Sequence, residues 1–250
     1  MKASVRGSRK AGGKVERIDA QPAFVLHQYP YRETSKLLDV FSRDYGRLMI
    51  VARGAQRPGS QLRGVLLAFQ PVLMSWFGAG DVKTLHVAEW QGGSPQLVGL
   101  PLLCGFYLNE LLMKLLQRDE PRPTLFVAYF DAIRALTTLK QGQSVEPILR
   151  SFELGMLADL GVAPDWLTCV DGTPVDVGSS YAYLPANGIV PSRPGLPSYD
   201  GQTLLDVSKR CFSSERALAQ TKILMRQAFA EVLGDLNLHT RQLLLDLQQL

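Results

Sequence analysis

The first ninety residues alternate between short apolar runs and turn residues. Each run is rich in Val, Leu and aromatic residues and is bounded by Gly, Pro, Asp or Ser, which is typical of β-strands. The runs are 23–29, 36–42, 47–53, 66–78 and 82–90. Residues Gly78 to Asp81 suit a tight turn between the last two. Five short strands in about seventy residues predict a small closed or partly open β-barrel.

After Trp90 and a Gly-Gly-Ser-Pro hinge, apolar residues recur every three or four positions, which predicts helices. The first two are 97–119 and 125–139. A third begins with Ser144 as N-cap, carries Pro147 in its first turn and ends at Gly161. Two more follow at the end of the chain, 215–234 with Ser213 as cap and 240–250.

The segment 162–201 lies between the third and fourth predicted helices. It is rich in Pro and Gly and has too few apolar repeats for a core of its own, so it is predicted to be irregular. The chain as a whole is therefore predicted to be α+β, with an N-terminal barrel followed by a mainly helical region.

The composition is that of a globular protein, with 46% hydrophobic and 20% charged residues. No apolar stretch is long enough to span a membrane, and no secretory signal is predicted. Cys104, Cys169 and Cys211 are scattered, which favours a reducing compartment. We therefore expect a cytoplasmic protein.

Catalytic motifs are absent from the sequence. His27, His86 and His239 lie in different predicted elements, and no helical metal-binding spacing, P-loop, dinucleotide fingerprint or nucleophile elbow occurs. Acidic pairs such as Asp119 and Glu120 are better explained as turn and capping residues than as a two-metal nuclease site. The sequence predicts neither an enzyme nor a cofactor.

Positive charge is concentrated at the N-terminal end. Residues 1–17 hold six cations and one acid, whereas residues 91–250 hold thirteen cations and sixteen acids. No acid occurs between Asp44 and Asp81. A basic tail is commonly just a solvated, disordered arm, but a tail followed by a second basic stretch makes a surface for a polyanion plausible.

The basic stretch coincides with the barrel, whose binding face can follow a nucleic-acid strand. We expect its arginines to share one exposed side, with aromatic side chains such as Tyr29, Tyr31, Tyr45 and Trp76 available for stacking. Trp76 is better explained as a core residue. Five neutralised phosphates predict a slope of roughly −3.5 in log affinity against log salt. The candidate DNA contacts are Arg43, Arg47, Arg53, Arg57, Arg63, Lys36, Lys83 and Tyr45.

From about residue 22 the chain resembles the RecO family of bacterial recombination mediators. The resemblance rests on AFVLHQYPYRETSKLLDVFSRDYGRLMIVARGAQ (23–56), GDVKTLHVAEW (80–90), GFYLNELLMKLL (105–116), LRSFELGMLADLG (149–161) and HTRQLLLDL (239–247). It implies an OB-fold (oligonucleotide-binding) barrel, a helical bundle and, in many relatives, a four-cysteine zinc site. It also implies binding and annealing of single- and double-stranded DNA.

The resemblance further implies protein partners. RecO-like proteins work with RecR and help to load the RecA recombinase on DNA covered by single-stranded DNA-binding protein, whose acidic C-terminal tail they engage. On this chain, Arg150 would meet the tail carboxylate beside an apolar groove lined by Leu111, Leu115 and Leu154. An ion pair of Arg150 with Glu153 or Glu146 on the same helix explains that arginine equally well.

The chain departs from the family pattern at the zinc site. Only Cys169 stands where relatives have a C-x-x-C pair, and one thiolate cannot close a tetrahedral site. We therefore expect no metal and a degenerate zinc-finger-like insertion. The predicted domains are a flexible basic arm (1–19), an OB-fold DNA-binding domain (20–92), a helical domain (93–162), the insertion (163–202) and C-terminal helices packing on the helical domain (203–250).

The functional expectation is a non-enzymatic DNA repair and recombination mediator that is cytoplasmic and associated with the nucleoid. Two alternatives remain open from the residues alone. One is a protein-interaction scaffold that does not bind DNA directly. The other is a metal-dependent nuclease that uses the scattered acids.

Overall fold

The N-terminal third of the chain folds into a closed barrel of five strands. The structure, a computed structural model, describes residues 17–92, 95–212, 214–240 and 242. The barrel strands are β1 (Arg17–Tyr31), β2 (Ser35–Ser42), β3 (Gly46–Ala52), β4 (Val72–Phe77) and β5 (Val82–Trp90), with a short helix α1 (Leu62–Val65) between β3 and β4. Their spatial order is β1-β2-β3-β5-β4, and β4 pairs back with β1. This is the predicted OB-fold, with the parallel β3–β5 pair closing the barrel.

The barrel buries apolar side chains on both faces of β1 and β2. Val25, Leu38 and Val40 point into the barrel interior with Ile50 and Trp76. The alternate residues Phe24, Leu26 and Phe41 belong to the core of the helical region instead. The barrel wall is therefore also one wall of the second core, as expected for strands whose two faces are both covered.

The helical region is formed by α2 (Gly99–Leu115), α3 (Pro123–Thr137), α4 (Glu146–Asp159), α5 (Gly201–Ser208) and α6 (Glu215–Leu233). Phe24 and Phe41 of the barrel stack on Phe126 of α3 with ring centroids 5.6 and 5.5 Å apart. Asn109 of α2 donates to the Leu26 carbonyl at 2.8 Å and accepts from the Tyr129 hydroxyl at 2.6 Å. A buried polar bridge thus joins the barrel to two helices.

The segment predicted to be irregular contains a small sheet, so that prediction was wrong. Strands β6 (Ser180–Leu184), β7 (Gly188–Pro191) and β8 (Tyr199–Asp200) pair in the order β7-β6-β8. Several buried side chains of this segment belong to the core of the helical region. They are Trp166, Cys169, Val175, Tyr181, Tyr183, Ile189 and Tyr199. The strands are too short to show a sequence period, and their apolar partners come from distant helices. Helix α5 was missed for the same reason.

Element ends differ from expectation at several points. The fourth strand begins at Val72 and not at residue 66, because α1 and the turns after it precede it. Val145 is the N-cap residue of α4, although Ser144 Oγ accepts from the Glu146 amide at 3.2 Å. Ser214 caps α6 by accepting from the Ala217 amide, whereas Ser213 lies outside the described residues.

The two chain ends lie mostly outside the described residues. Of the predicted arm 1–19, residues 17–19 form the start of β1, and 1–16 are not described. Of the predicted helix 240–250, only residues 240 and 242 are described. Within the described ranges, no helix is long and apolar enough to cross a membrane, and no group of three or more His, Cys, Asp or Glu side chains could hold a metal ion.

Candidate nucleic-acid interface and helical groove

The arginines of the barrel fall into two groups at opposite ends of β3. Arg43 and Arg47 lie at the β2–β3 hairpin, whereas Arg53, Arg57 and Arg63 lie in or after the other end of the strand. Seven residues of strand separate these ends by roughly 20 Å, at about 3.3 Å per residue. The five arginines therefore do not form one cluster, and the expectation that all of them share one exposed side is wrong for Arg47, whose side chain is 14% exposed.

Arg43 lies in the β2–β3 turn and forms an exposed, bidentate pair with Asp44. Its Nε and Nη2 atoms each donate to one carboxylate oxygen at 2.9 Å. The hydrogen bond and the charge of Asp44 raise the pKa of Arg43, and the hydrogen bond from Arg43 lowers the pKa of Asp44. A phosphate at this position would compete with a neighbouring carboxylate.

Arg47 is held inside the junction between the barrel and α2. Its Nε and Nη2 donate to the Asp39 carboxylate at 2.9 and 2.8 Å. Its Nη1 donates to the last carbonyls of α2, those of Met113 and of Leu116, the latter at 3.2 Å. Only 14% of the Arg47 side chain and 2% of the Asp39 side chain are exposed. The predicted role of Arg47 as a DNA contact conflicts with this arrangement, because its donors already serve a structural site.

The sequence carried a signal for this pair. The β2–β3 register places Phe41 opposite Arg47 and Asp39 opposite Met49. Residues 39 and 47 are thus diagonal neighbours across an antiparallel hairpin, close enough for long side chains to meet. The carboxylate that pairs with Arg47 is therefore supplied by Asp39 on the preceding strand, although no acid follows Arg47 in the sequence before Asp81.

The opposite end of β3 opens into a groove with a volume of about 630 Å³, which we call the basic groove. It is lined by Gln28, Tyr29, Pro30, Lys36, Gln56 and Arg63. Lys36 Nζ donates to Gln28 Oε1 at 2.7 Å, and Arg63 Nη2 donates to the Gln56 carbonyl at 2.7 Å. Gln56 in turn donates to the Ser35 carbonyl at 2.7 Å, so the β3–β4 loop is fixed against the β1–β2 turn.

Two further arginines lie on the same β3–β4 loop. Arg53 directly follows Ala52, the last residue of β3, and Ala52 pairs with Lys36 of β2. The aliphatic part of the Arg57 side chain packs over Gly54, with Arg57 Cδ 3.5 Å from the position that a Cβ on residue 54 would occupy. Both side chains are exposed, and neither guanidinium has a carboxylate or hydrogen-bond partner among the described residues. Arg53, Arg57, Arg63 and Lys36 are therefore the predicted cations that the fold gathers together.

The other two predicted DNA contacts lie elsewhere. The Tyr45 ring packs edge-on against Trp76 with centroids 5.4 Å apart, as part of the barrel core. Lys83 on β5 donates to the Gly80 carbonyl at 2.8 Å and lies 3.8 Å from Asp119. Neither Tyr45 nor Lys83 lines the basic groove. The aromatic residue that does line it is Tyr29, which was not among the candidate DNA contacts.

A second cavity, of about 120 Å³, lies between α2, α4 and α6, and we call it the helical groove. Its apolar lining includes Leu100, Leu149, Met225, Phe229 and Leu238. Its polar lining consists of Tyr107, Glu146, Arg150, Glu153, Lys222 and Arg226. It therefore combines apolar side chains with three cations and two carboxylates, and Lys222 donates to Glu146 at 2.6 Å. The exposed Arg226 has no acidic partner among the described residues, which suits an acidic peptide with hydrophobic side chains.

Arg150 both lines the helical groove and forms the ion pairs that its helix predicted. Its Nη2 donates to Glu153 at 2.6 Å, and its Nε lies 3.8 Å from Glu146. Burial raises the pKa of Glu153, against the opposing effects of Arg150 and of the Tyr107 hydroxyl at 2.7 Å. The Arg150 Nε is buried without a hydrogen-bond partner. Arg150, whose side chain is 7% exposed, is therefore held between the two carboxylates of its own helix.

The leucines predicted to line this groove are not part of it. Leu111 is fully buried and Leu154 is 4% exposed, and both belong to the core of the helical region. Leu115 is partly buried and packs against the same core. Helical spacing identified apolar faces correctly, but it could not tell which face is covered by a neighbouring helix.

The segment after α6 contributes Leu238 to the lining of the helical groove and is tied to α2. The amides of His239 and Thr240 each donate to the Glu110 carboxylate at 2.9 Å, and Lys114 donates to the Asn237 carbonyl. Burial alone would raise the pKa of Glu110, but these two bonds, together with the bond from the Thr240 hydroxyl and the charge of Lys114, lower it. Leu238 lies between the bonded residues Asn237 and His239 and is therefore held at the helical groove.

Comparison with known proteins places both halves of the chain in one family. The model for the N-terminal part of recombination protein O matches residues 17–93, and the model for its C-terminal part matches residues 99–232. A DNA repair protein RecO of Azoarcus sp. (strain BH72) is 50% identical over 244 residues, covering 94% of this chain and 98% of the relative. The RecO protein of Nitrosospira multiformis is 45% identical over 240 residues, with the same coverage.

Proposed function

Because the chain belongs to the RecO family of DNA repair proteins, we propose that it is a non-catalytic recombination mediator that binds and anneals DNA. One observation carries the proposal: Lys36 and Arg63 line the basic groove of an OB-fold barrel, and the exposed Arg53 and Arg57 lie on the same β3–β4 loop as Arg63. Cations along a groove neutralise successive phosphates of a nucleic-acid strand. Arg43, Arg47, Lys83 and Tyr45 are not among the contacts that we propose.

Annealing follows from the same electrostatics. Two complementary strands repel each other through their phosphates, and a protein that neutralises those charges lowers the barrier to their meeting. The cations lie on a loop and at strand ends, and phosphate contacts carry no sequence information. We expect binding to single and double strands without base-specific readout.

The helical groove supports a second part of the proposal, the binding of the acidic C-terminal tail of single-stranded DNA-binding protein. Leu100, which is 49% exposed, offers an apolar surface above the buried side chains of Leu149, Met225 and Phe229. The exposed Arg226 offers positive charge beside it. We propose that RecR is a further partner and that RecA is engaged indirectly, during loading on covered DNA. These two partners come from the family resemblance alone.

Charge reversal at Arg53 and Arg57 tests DNA binding. The four proposed contacts predict a slope of about −2.8 in log affinity against log salt for single strands. In Arg53→Glu/Arg57→Glu the slope should flatten by about 1.4, because each lost phosphate contact removes about 0.7. Fluorescence anisotropy of a labelled oligonucleotide at several salt concentrations measures this slope, and strand annealing should be lost in parallel.

The matched control for this experiment is Lys140→Glu/Arg193→Glu. It makes the same change in net charge at two exposed positions outside the barrel and should retain the wild-type slope. If both double variants lose affinity equally, net charge and not the basic groove explains binding. Wild-type protein without salt-sensitive binding would favour the alternative of a protein-interaction scaffold.

Tail binding is tested with an acidic peptide that ends in a hydrophobic residue and a free carboxylate. Arg226→Glu removes an exposed cation of the helical groove without disturbing the ion pairs of Arg150, and we expect at least a fivefold loss of peptide affinity. Calorimetric titration measures it, with Arg193→Glu as control. Unchanged affinity in Arg226→Glu would place the peptide elsewhere.

A further inference from the structure

We infer that Tyr29 is the stacking platform for one base of a bound single strand, while the cations of the basic groove hold the flanking phosphates. This inference rests on the proposed function and adds a subsite to it. It assigns a contact to the base, whereas the arginines and Lys36 account only for contacts to the backbone. A base–aromatic stack tolerates any sequence, because every base has a π-face.

Tyr29 is exposed and supported at the same time. It lies two residues before the end of β1, pairs with Leu37 of β2 and lines the basic groove. Its relative exposure is 42%, which is high for a large aromatic residue on a barrel strand. The His27 ring lies 4.5 Å from the Tyr29 ring, at an interplanar angle of 58°. This contact restricts the tyrosine ring before any ligand arrives, which lowers the entropy cost of stacking.

The other aromatic residues described in the barrel do not line the basic groove. Tyr45 packs on Trp76 in the barrel. Tyr31 is less exposed and carries the Arg32 guanidinium over its ring at 5.2 Å. Trp90 donates to Gln70 at 3.3 Å, and it lies on β5, away from the lining of the basic groove. Tyr29 is the aromatic residue that the described structure places among the cations.

The charged groups around Tyr29 retain donors for phosphate. Lys36 uses one bond to Gln28 and Arg63 one to the Gln56 carbonyl, whereas an ammonium has three donors and a guanidinium five. These bonds hold both cations on the groove wall. The groove volume of about 630 Å³ falls in the range of small-molecule sites, about 300–1,000 Å³. A single unstacked nucleotide is thus a suitable occupant.

The test compares Tyr29→Leu and Tyr29→Phe with the wild-type protein, and Tyr31→Leu is the matched control. Two oligonucleotides of equal length are used: one carries the fluorescent base 2-aminopurine, and the other is an abasic deoxyribose-phosphate chain. We expect Tyr29→Leu to weaken binding of the base-bearing strand about 5- to 150-fold, the range for one lost stack. Its affinity for the abasic chain should not change.

Tyr29→Phe should retain both the affinity and the change in 2-aminopurine fluorescence, because the ring and not the hydroxyl makes the stack. Tyr31→Leu should behave as the wild type. The slope against salt should be the same in all four proteins, since no cation is removed. Circular dichroism and the unfolding midpoint confirm that each variant is folded.

Three results would overturn the inference. If Tyr29→Leu binds the base-bearing strand as the wild type does, there is no stack at Tyr29, although the proposed function stands. If it loses affinity for both oligonucleotides equally, Tyr29 positions the backbone and not a base. If the wild type shows no salt-sensitive binding to either, the proposed function fails together with the inference.

Discussion

Arg47→Met is expected to lower the free energy of unfolding by about 3–5 kcal/mol, the usual cost of leaving one partner of a buried ion pair without the other. The substitution leaves the Asp39 carboxylate, 2% exposed, without its cation. It also removes the donor that serves the carbonyls of Met113 and Leu116 at the end of α2. Methionine retains much of the packing of the stem, so the loss reports on charge and hydrogen bonding.

Urea denaturation measures this effect, and two further variants make it specific. Arg43→Met removes an exposed arginine from an equally well-formed pair and should change stability little, because water replaces the lost bonds. Adding Asp39→Asn to Arg47→Met should recover part of the loss, because the buried charge is gone. If Arg47→Met proves as mild as Arg43→Met, Arg47 is not a structural residue. Arg47 variants are therefore unsuitable for testing DNA binding.

Gly46→Ala is expected to destabilise the protein by about 4 kcal/mol or more, a loss seen only when a specific feature breaks. Gly46 has φ of +68°, which costs any other residue strain. An added Cβ would also lie 2.0 Å from the Glu120 carbonyl oxygen and 2.4 Å from its carbon. Those atoms belong to backbone, so no side-chain rotation relieves the clash.

Gly59→Ala separates the two causes. Gly59 has a similar φ of +77°, but nothing lies within 4 Å of an added Cβ. The Gly59→Ala variant should therefore lose only about 1–2 kcal/mol of stability, the cost of the left-handed conformation for alanine. Thermal or urea unfolding of the two variants measures the difference, which is the cost of the backbone contact between the β2–β3 turn and residue 120. Equal losses would mean that this contact is not as close as described.

The barrel could be predicted from the sequence because its strands are long enough to alternate. Leu38, Val40, Leu48 and Ile50 recur at every second position and point into one interior. Helices α2, α3 and α4 were predicted within a few residues for the same reason, since each shows a 3.6-residue period. The three short strands after α4 could not be predicted, because two to five residues do not establish a period.

The candidate sites were harder to predict than the fold. An unpaired Arg53 and a buried Arg47 look alike in sequence, because the partner that distinguishes them lies on another strand. Leu111 and Leu149 occupy similar apolar helix faces and both are buried, yet of the two only Leu149 lines the helical groove. Tyr29 was one of four aromatic candidates for stacking in the sequence, and the structure distinguished it from the others by placing it in the basic groove formed where the β3–β4 loop folds back against its strand.

The wall shared by the barrel and the helices limits how the protein can be dissected. A fragment that ends after β5 would expose Phe24, Leu26 and Phe41 to water and leave the Leu26 carbonyl without the Asn109 amide. Such a fragment is expected to aggregate during expression. Variants of the intact polypeptide, and not truncations, are therefore the appropriate tools for assigning activities to its two halves.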